Sequence, residues 1–243
     1  MSAIQIIQNV FADLRGFIVD VGCGSGRSTQ MLLESTGGKD LQVMGLDIAL
    51  QAVHDARLQI RSSCVSFIRA SATHIPLRSR SCDAVITMLT LHELPAQQLP
   101  QVLREVHRIL KVGGRFVVID KIPPVRKSPS TVLTMLIEEA HHRALEYALG
   151  VRVWGVHKKE QIARLVCAHG FRLEQLKTGH GTYTKPQDFL SSWGAKTSQL
   201  LHQIDSKEKR QELLQLVKHI KSIARRHGYG PTHYVIAVFT KSS

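Results

Sequence analysis

Val19-Asp20-Val21-Gly22-Cys23-Gly24-Ser25-Gly26-Arg27-Ser28 is the stretch on which the reading of this chain turns. It begins inside a short apolar run, 17–21, of the kind that forms a buried strand, and its glycines directly precede a segment of helical spacing over 27–34. Glycines at a strand-to-helix junction let the backbone turn sharply and approach a ligand closely. The helix start then offers unpaired N–H groups to an anionic group. A dinucleotide-binding loop would read G-x-G-x-x-G. Here position 27 is Arg and the third glycine is Gly26, so the spacing is G-x-G-x-G.

Further along, Gly45-Leu46-Asp47-Ile48 ends a second apolar run, 42–46. An acidic residue at that strand end, just over twenty positions past the glycine loop, is placed to hold two ribose hydroxyls. Strands are also predicted at 65–69, 84–88 and 115–120. Helices over 49–60 and 96–110 carry Val53, Ala56 and Ile60, and Leu99, Val102, Leu103, Val106 and Leu110, on one face each. That alternation predicts an α/β chain with a parallel sheet and helices on both sides. Val112-Gly113-Gly114 is expected to end the third helix. Beyond Asp120, Ser130 is expected to cap a long helix to about Leu149, followed by a helix over 158–169 and a sixth strand over 171–177. Two helices, the second over 209–226, fill the space before a last strand, 233–240. That second helix carries Leu213, Leu216, Val217, Ile220 and Ile223 on one face.

V-D-V-G-C-G-S-G resembles motif I of class I S-adenosylmethionine-dependent methyltransferases, and Asp47 falls where that family carries its ribose-binding acid. The segment 67–77 (F-I-R-A-S-A-T-H-I-P-L) is similar to the family's stretch after the third strand. Many members carry an adenine-contacting Asp there. Here Ser71 takes that place, with the backbone N–H of Ala72 beside it. The segments 82–94 and 103–120 are similar to the fourth and fifth motif regions. They look most like the small-molecule branch that includes ubiquinone and menaquinone biosynthesis enzymes. The resemblance covers roughly 15–180. It implies a Rossmann-like fold with a mostly parallel seven-stranded sheet and a helical insertion before the last strand. It divides one domain, 1–243, into a cofactor half (1–120), the rest of the sheet and the substrate side (121–182), an insertion or lid (183–230) and the last strand (231–243).

By the same resemblance S-adenosyl-L-methionine is the cofactor. Asp20 would bind its amino group, Gly22, Gly24 and Gly26 would pass close to its methionine part, and Asp47 with Ile48 would hold the ribose. Ser71 and Ala72 would meet the adenine, and Met88 would present a backbone carbonyl. His92, just past the fourth strand, is the candidate base or acceptor-orienting group, with a plain pocket wall as the alternative. Arg126, Trp154 and Tyr183 are candidate acceptor contacts, and Arg126 would suit an anionic acceptor. His180 and Trp193 lie in the same variable half. Few residues precede the first strand, so 121–150 and 183–230 are expected to supply the lid. Glu138-x-x-His141 has a spacing used by di-metal bundles, but no second copy exists, and a solvated helix face is the expectation.

Composition narrows the remaining classes. With 243 residues, 43% of them hydrophobic, the chain suits a folded domain rather than disorder. No apolar run is long enough for a membrane span, and the first sixteen residues do not read as a signal peptide. Four scattered cysteines without a C-x-x-C pair argue against a disulfide framework or a zinc site and fit the cytoplasm. The net charge of +13 is uneven: +2 over 1–120 and +11 over 121–243. That excess keeps an RNA methyltransferase in play beside a small-molecule enzyme. Against RNA, Thr87-Met88-Leu89-Thr90 is not the Asn/Asp-Pro-Pro-aromatic run of base-amino methylation, and aromatics are only 5%. A degenerate protein that binds the cofactor without turnover is the third reading.

Overall fold

The computed structural model describes residues 2–181 and 194–242. A seven-stranded sheet forms its centre. The strands are β1 (Gly16–Val21), β2 (Leu41–Asp47), β3 (Val65–Arg69), β4 (Cys82–Met88), β5 (Leu110–Ile122), β6 (Phe171–His180) and β7 (His233–Lys241). Their order is β3-β2-β1-β4-β5-β7-β6. The pairs among β1 to β5 are parallel, and β7 runs antiparallel to both β5 and β6. This is the Rossmann-like methyltransferase fold expected from the sequence.

Both faces of the sheet are covered, and the period-2 pattern of the strands shows why. Along β5, Phe116 and Val118 join one buried cluster, while Val117 and Ile119 join another. Along β4, Val85 goes to the first and Ala84 and Ile86 to the second. Strands with both faces buried read as continuous apolar runs rather than alternating ones. The first cluster takes the apolar stripe of a helix over Leu99–Ile109, which buries Leu99, Val102, Leu103, Val106 and Ile109. The helices over Arg27–Thr36 and Leu50–Gln59 connect β1 to β2 and β2 to β3.

Numbered in chain order, the helices are α1 (Ala3–Ala12), α2 (Arg27–Thr36), α3 (Leu50–Gln59), α4 (Leu99–Ile109), α5 (Pro129–Leu149), α6 (Lys159–Cys167), α7 (Ala195–Leu201) and α8 (Lys207–His227). The sequence reading assigned no element before β1, and α1 fills that place. Ala3, Ile6, Ile7, Val10 and Phe11 are buried at i, i+3, i+4 spacing in the second cluster, so α1 is an amphipathic wall. α5 and α8 pack on each other through Leu133, Ala140, Ala144, Leu213, Ile220 and Ala224. Among the described residues no helix is long and apolar enough to cross a membrane.

Two boundary expectations change. The glycine pair does not end α4. That helix stops at Ile109 because Leu110 turns extended and buries itself at the start of β5. Between Cys82↔Leu110 and Ala84↔Arg115, two steps along β4 face five along β5. Gly113, at φ +75°, absorbs that excess as a bulge. At α5 the cap is Ser128 rather than Ser130. Its hydroxyl accepts from Thr131 N at 3.3 Å, and Pro129 occupies the first turn, where its missing N–H costs nothing.

Candidate functional site

The strand order reverses at β1, which has β2 on one side and β4 on the other. Ligands of open α/β sheets bind at such a point, beyond the carboxyl ends of the strands. The loop from Gly22 to Gly26 lies there. Gly22 N and Cys23 N both donate to Leu46 O, at 2.8 and 3.1 Å, which folds the loop over the end of β2. Gly22 has φ +72°, and a Cβ there would sit 2.4 Å from Thr90 Cγ2. Thr90 in turn donates its hydroxyl to Val21 O at 3.2 Å, so the loops after β1 and β4 are locked together. Gly24 differs. It has φ +53°, and the space that its Cβ would enter is open.

Asp47 ends β2 with its side chain partly exposed. Its Oδ2 accepts from Gly24 N at 2.9 Å and its Oδ1 from Ala49 N at 2.9 Å. A carboxylate has about four lone-pair sites. One backbone N–H on each oxygen therefore fixes the group and leaves each oxygen able to accept once more. That is the donor–acceptor match for a vicinal diol. The same carboxylate holds Gly24 N beside the open space. Ile48 is 68% exposed next to it.

Asp20 is fully buried. Its Oδ2 accepts from Ser28 Oγ at 2.5 Å and Thr29 Oγ1 at 2.6 Å, and so ties β1 to the first turn of α2. Its Oδ1 is buried with no hydrogen-bond partner. Burial pushes its pKa up to about 6, against the lowering effect of the two hydroxyls. A buried carboxylate with one orphaned oxygen beside the glycine loop suits a cationic group bound there. Ser71 and Ala72, just past β3, are half-buried, and Ser71 Oγ is engaged with Thr73 Oγ1 at 2.8 Å.

Met88 lies at the end of β4 on a cavity of about 280 Å³. Arg27 and Met31 of α2, Ile4 and Ile7 of α1, Leu89, Tyr229 and Tyr234 share that wall. Leu89 is held at φ +59°, with its N–H on Ile119 O at 2.8 Å. The sequence reading missed α1, Arg27, Tyr229 and Tyr234 as pocket residues. Tyr229 and Tyr234 bracket Pro231 at the return to β7, and that placement was the available signal.

His92 does not line this cavity. It is 1% exposed, with Nδ1 2.5 Å from Asp120 Oδ1 and its backbone N–H on Asp120 Oδ2 at 3.1 Å. Its Nε2 has no hydrogen-bond partner and lies 3.5 Å from Glu138 Oε2. Burial works against the charged ring, but the hydrogen bond and charge of Asp120, aided by Glu138, raise its pKa above the ordinary value. Glu138 is not on a solvated face, contrary to expectation. It is buried and paired with Lys121 Nζ at 2.6 Å, because Lys121 on β5 projects beneath α5. His142 also abuts Glu138, and burial drops its pKa to about 4, which keeps it neutral at pH 7.

The remaining candidates separate. Trp154 lines a different cavity, of about 380 Å³, with Glu138 and His142, and its ring stacks on His157. Arg126 is exposed on the loop before α5. His180 is exposed at the end of β6. Tyr183 and Trp193 lie outside the described residues. Cys23 is buried, and burial raises its pKa. Among the described residues no group of three or more His, Cys, Asp or Glu side chains forms a metal cluster.

Residues 19–118 match the family profile described as "Methyltransferase domain". An uncharacterized methyltransferase of Synechocystis is 31% identical over 103 residues, which is 42% of this chain and 46% of that one. The demethylmenaquinone methyltransferase of Lactococcus lactis is 33% identical over 116 residues, covering 46% of this chain and 45% of the relative. The matched part of this chain thus spans less than half the length of these curated relatives. A solved SAM-dependent methyltransferase from Methanosarcina mazei shares the fold over 100% of this chain and 99% of its own, with a TM-score of 0.61 and 14% identity. The chain therefore resembles class I methyltransferases in sequence over its first half and in fold throughout.

Proposed function

We propose that this protein moves a methyl group from S-adenosyl-L-methionine to an O, N or C atom of a small molecule. The observation that carries the reading is Asp47. Its carboxylate is fixed by two backbone N–H groups, keeps half of its accepting capacity, and stands beside the open space at Gly24. The methyltransferase relatives over the same residues support it.

When bound, the cofactor supplies a methyl group already activated on a cationic sulfonium. The protein's part is then to hold and orient. Asp47 would accept both ribose hydroxyls, a duty that a 2′-phosphate would oppose by charge. Asp20 supplies negative charge at the loop and braces Ser28 and Thr29, so the first turn of α2 keeps its place. Thr90 prevents the loop after β1 from drifting away from β4. His92 and Asp120 form a buried pair that fixes the start of the β4–α4 loop. Enclosed as it is, His92 is a positioning residue in this reading, and a phenolic or carboxylic acceptor would need no enzyme base.

RNA is the second reading, favoured by the +11 charge of 121–243. Calorimetric titration with S-adenosylhomocysteine, with NAD as control, tests the first. Micromolar binding of the former and none of NAD is expected. No binding of S-adenosylhomocysteine would refute the assignment. Tighter binding of the cofactor product in the presence of bulk RNA, lost at higher salt, would favour the RNA reading.

A further inference from the structure

We infer that the cavity at the end of β4 takes a small acceptor with an apolar body and a carboxylate, and that Arg27 receives the carboxylate. The inference deepens the methyl-transfer reading and rests on it for the acceptor's role. The wall carries apolar side chains from four different elements, Ile4, Ile7, Met31, Met88 and Ile119, with Leu89 beside Met88. An apolar cavity of about 150 Å³ holds benzene. At about 280 Å³ this one has room for a ring with substituents.

Against that wall stands one guanidinium. Arg27 lines the cavity, and among the described residues it has no carboxylate partner. Asp20, on the strand before it, holds Ser28 and Thr29, and Glu34, which shares a second cavity wall with Arg27, accepts from Gln30 Nε2 at 2.8 Å. Tyr234 shares the cavity wall with Arg27. The Tyr229 hydroxyl on the same wall is engaged with Thr232 Oγ1 at 2.9 Å and accepts from Thr134 Oγ1 at 3.3 Å, so it holds the wall in place. Arg27 directly follows Gly26, and Met88 ends β4, so the cavity shares its edge with the cofactor cradle. A planar guanidinium matches a carboxylate with two parallel N–H donors.

A carboxylate at Arg27 has two sources, the acceptor or the amino-acid end of the cofactor, and the test separates them. Benzoate, 4-hydroxybenzoate and hexanoate are each titrated against their amides, with the protein alone and with S-adenosylhomocysteine. S-adenosylhomocysteine is titrated against 5′-methylthioadenosine, which lacks the amino-acid carboxylate. Arg27 is exposed, so Arg27→Met leaves the fold intact. At least one acid should bind roughly fivefold tighter than its amide, a modest ratio because the guanidinium is exposed. Arg27→Met should erase that ratio, Arg27→Lys should restore part of it, and salt should weaken it. Three results would overturn the inference: no acid preferred over its amide (no binding at all included), a preference that survives Arg27→Met, or an Arg27→Met loss confined to S-adenosylhomocysteine. If S-adenosylhomocysteine fails to bind the unaltered protein, the methyl-transfer reading falls. The acid–amide comparison on the protein alone still decides what the cavity takes.

Discussion

Replacing Asp20 by Asn tests the electrostatics of the loop. In the folded protein the Asp20 pKa is about 6, against 3.8 for the free side chain, with burial as the main cause. A carboxyl whose folded pKa is raised binds its proton more tightly in the native state. Its contribution to stability is then fully present below about pH 4 and is lost as pH rises through about 6. At about 1.4 kcal/mol per pKa unit, the loss amounts to about 3 kcal/mol across that window. Asn keeps a carbonyl for the Ser28 and Thr29 hydroxyls and does not titrate. The assay is urea unfolding of both proteins from pH 4 to pH 8 without added cofactor. Their difference cancels His92 and every other group common to the two proteins. It should move by up to about 3 kcal/mol in favour of Asn between pH 4 and pH 7, then stay level. Saturating S-adenosylhomocysteine, by placing an ammonium near the loop, should shrink the movement. A difference that is flat over the whole range would refute the raised pKa and with it the electrostatic role of Asp20.

Asp47→Ala should weaken S-adenosylhomocysteine binding by about 1–3 kcal/mol through lost charge-assisted hydrogen bonds; unchanged calorimetric affinity would remove Asp47 from the site. Gly22→Ala places a Cβ against Thr90 at positive φ and should cost about 2 kcal/mol of stability. Adding Thr90→Ala should recover the steric part and leave the backbone part, as read in denaturant midpoints. For His92, whose folded pKa is raised, the stability that it contributes is present below its unfolded pKa of about 6.5 and lost as pH rises through its folded one. The stability gap between the protein and His92→Asn should accordingly narrow above neutral pH, and a gap that widens there would exclude the Asp120 pairing. Leu213→Ala, at the buried contact of α8 with α5, should cost about 2–5 kcal/mol. A loss below about 0.5 kcal/mol would mean that the two helices do not pack.

Much of the chain was legible because its signals are local. β3 falls at 65–69 as read, and α2 begins at Arg27, where the glycine loop says it must. Asp47 ends β2 as read, because a strand end is enough to place it. Boundaries failed where two local rules competed. Gly113-Gly114 looked like a helix stop, but burying Leu110 ended α4 first and left the glycines to a bulge. α1 went unread because its five buried residues gain their meaning only from the sheet face against which they pack.

What the sequence determined by itself was the alternation of strand and helix, the glycine loop and the acid at the end of β2. Each depends on backbone conformation and spacing within a few residues. Tertiary structure decided the rest. His92, Asp120, Lys121 and Glu138 come from three separate elements, so their burial and pairing exist only once α5 lies over the end of the sheet. Arg27, Met88 and Tyr234 share a cavity for the same reason: α2, β4 and β7 are distant in the chain and are brought together by the sheet order. Contacts between residues far apart in sequence leave no periodicity to read, whereas a turn that only glycine can make is written where it occurs.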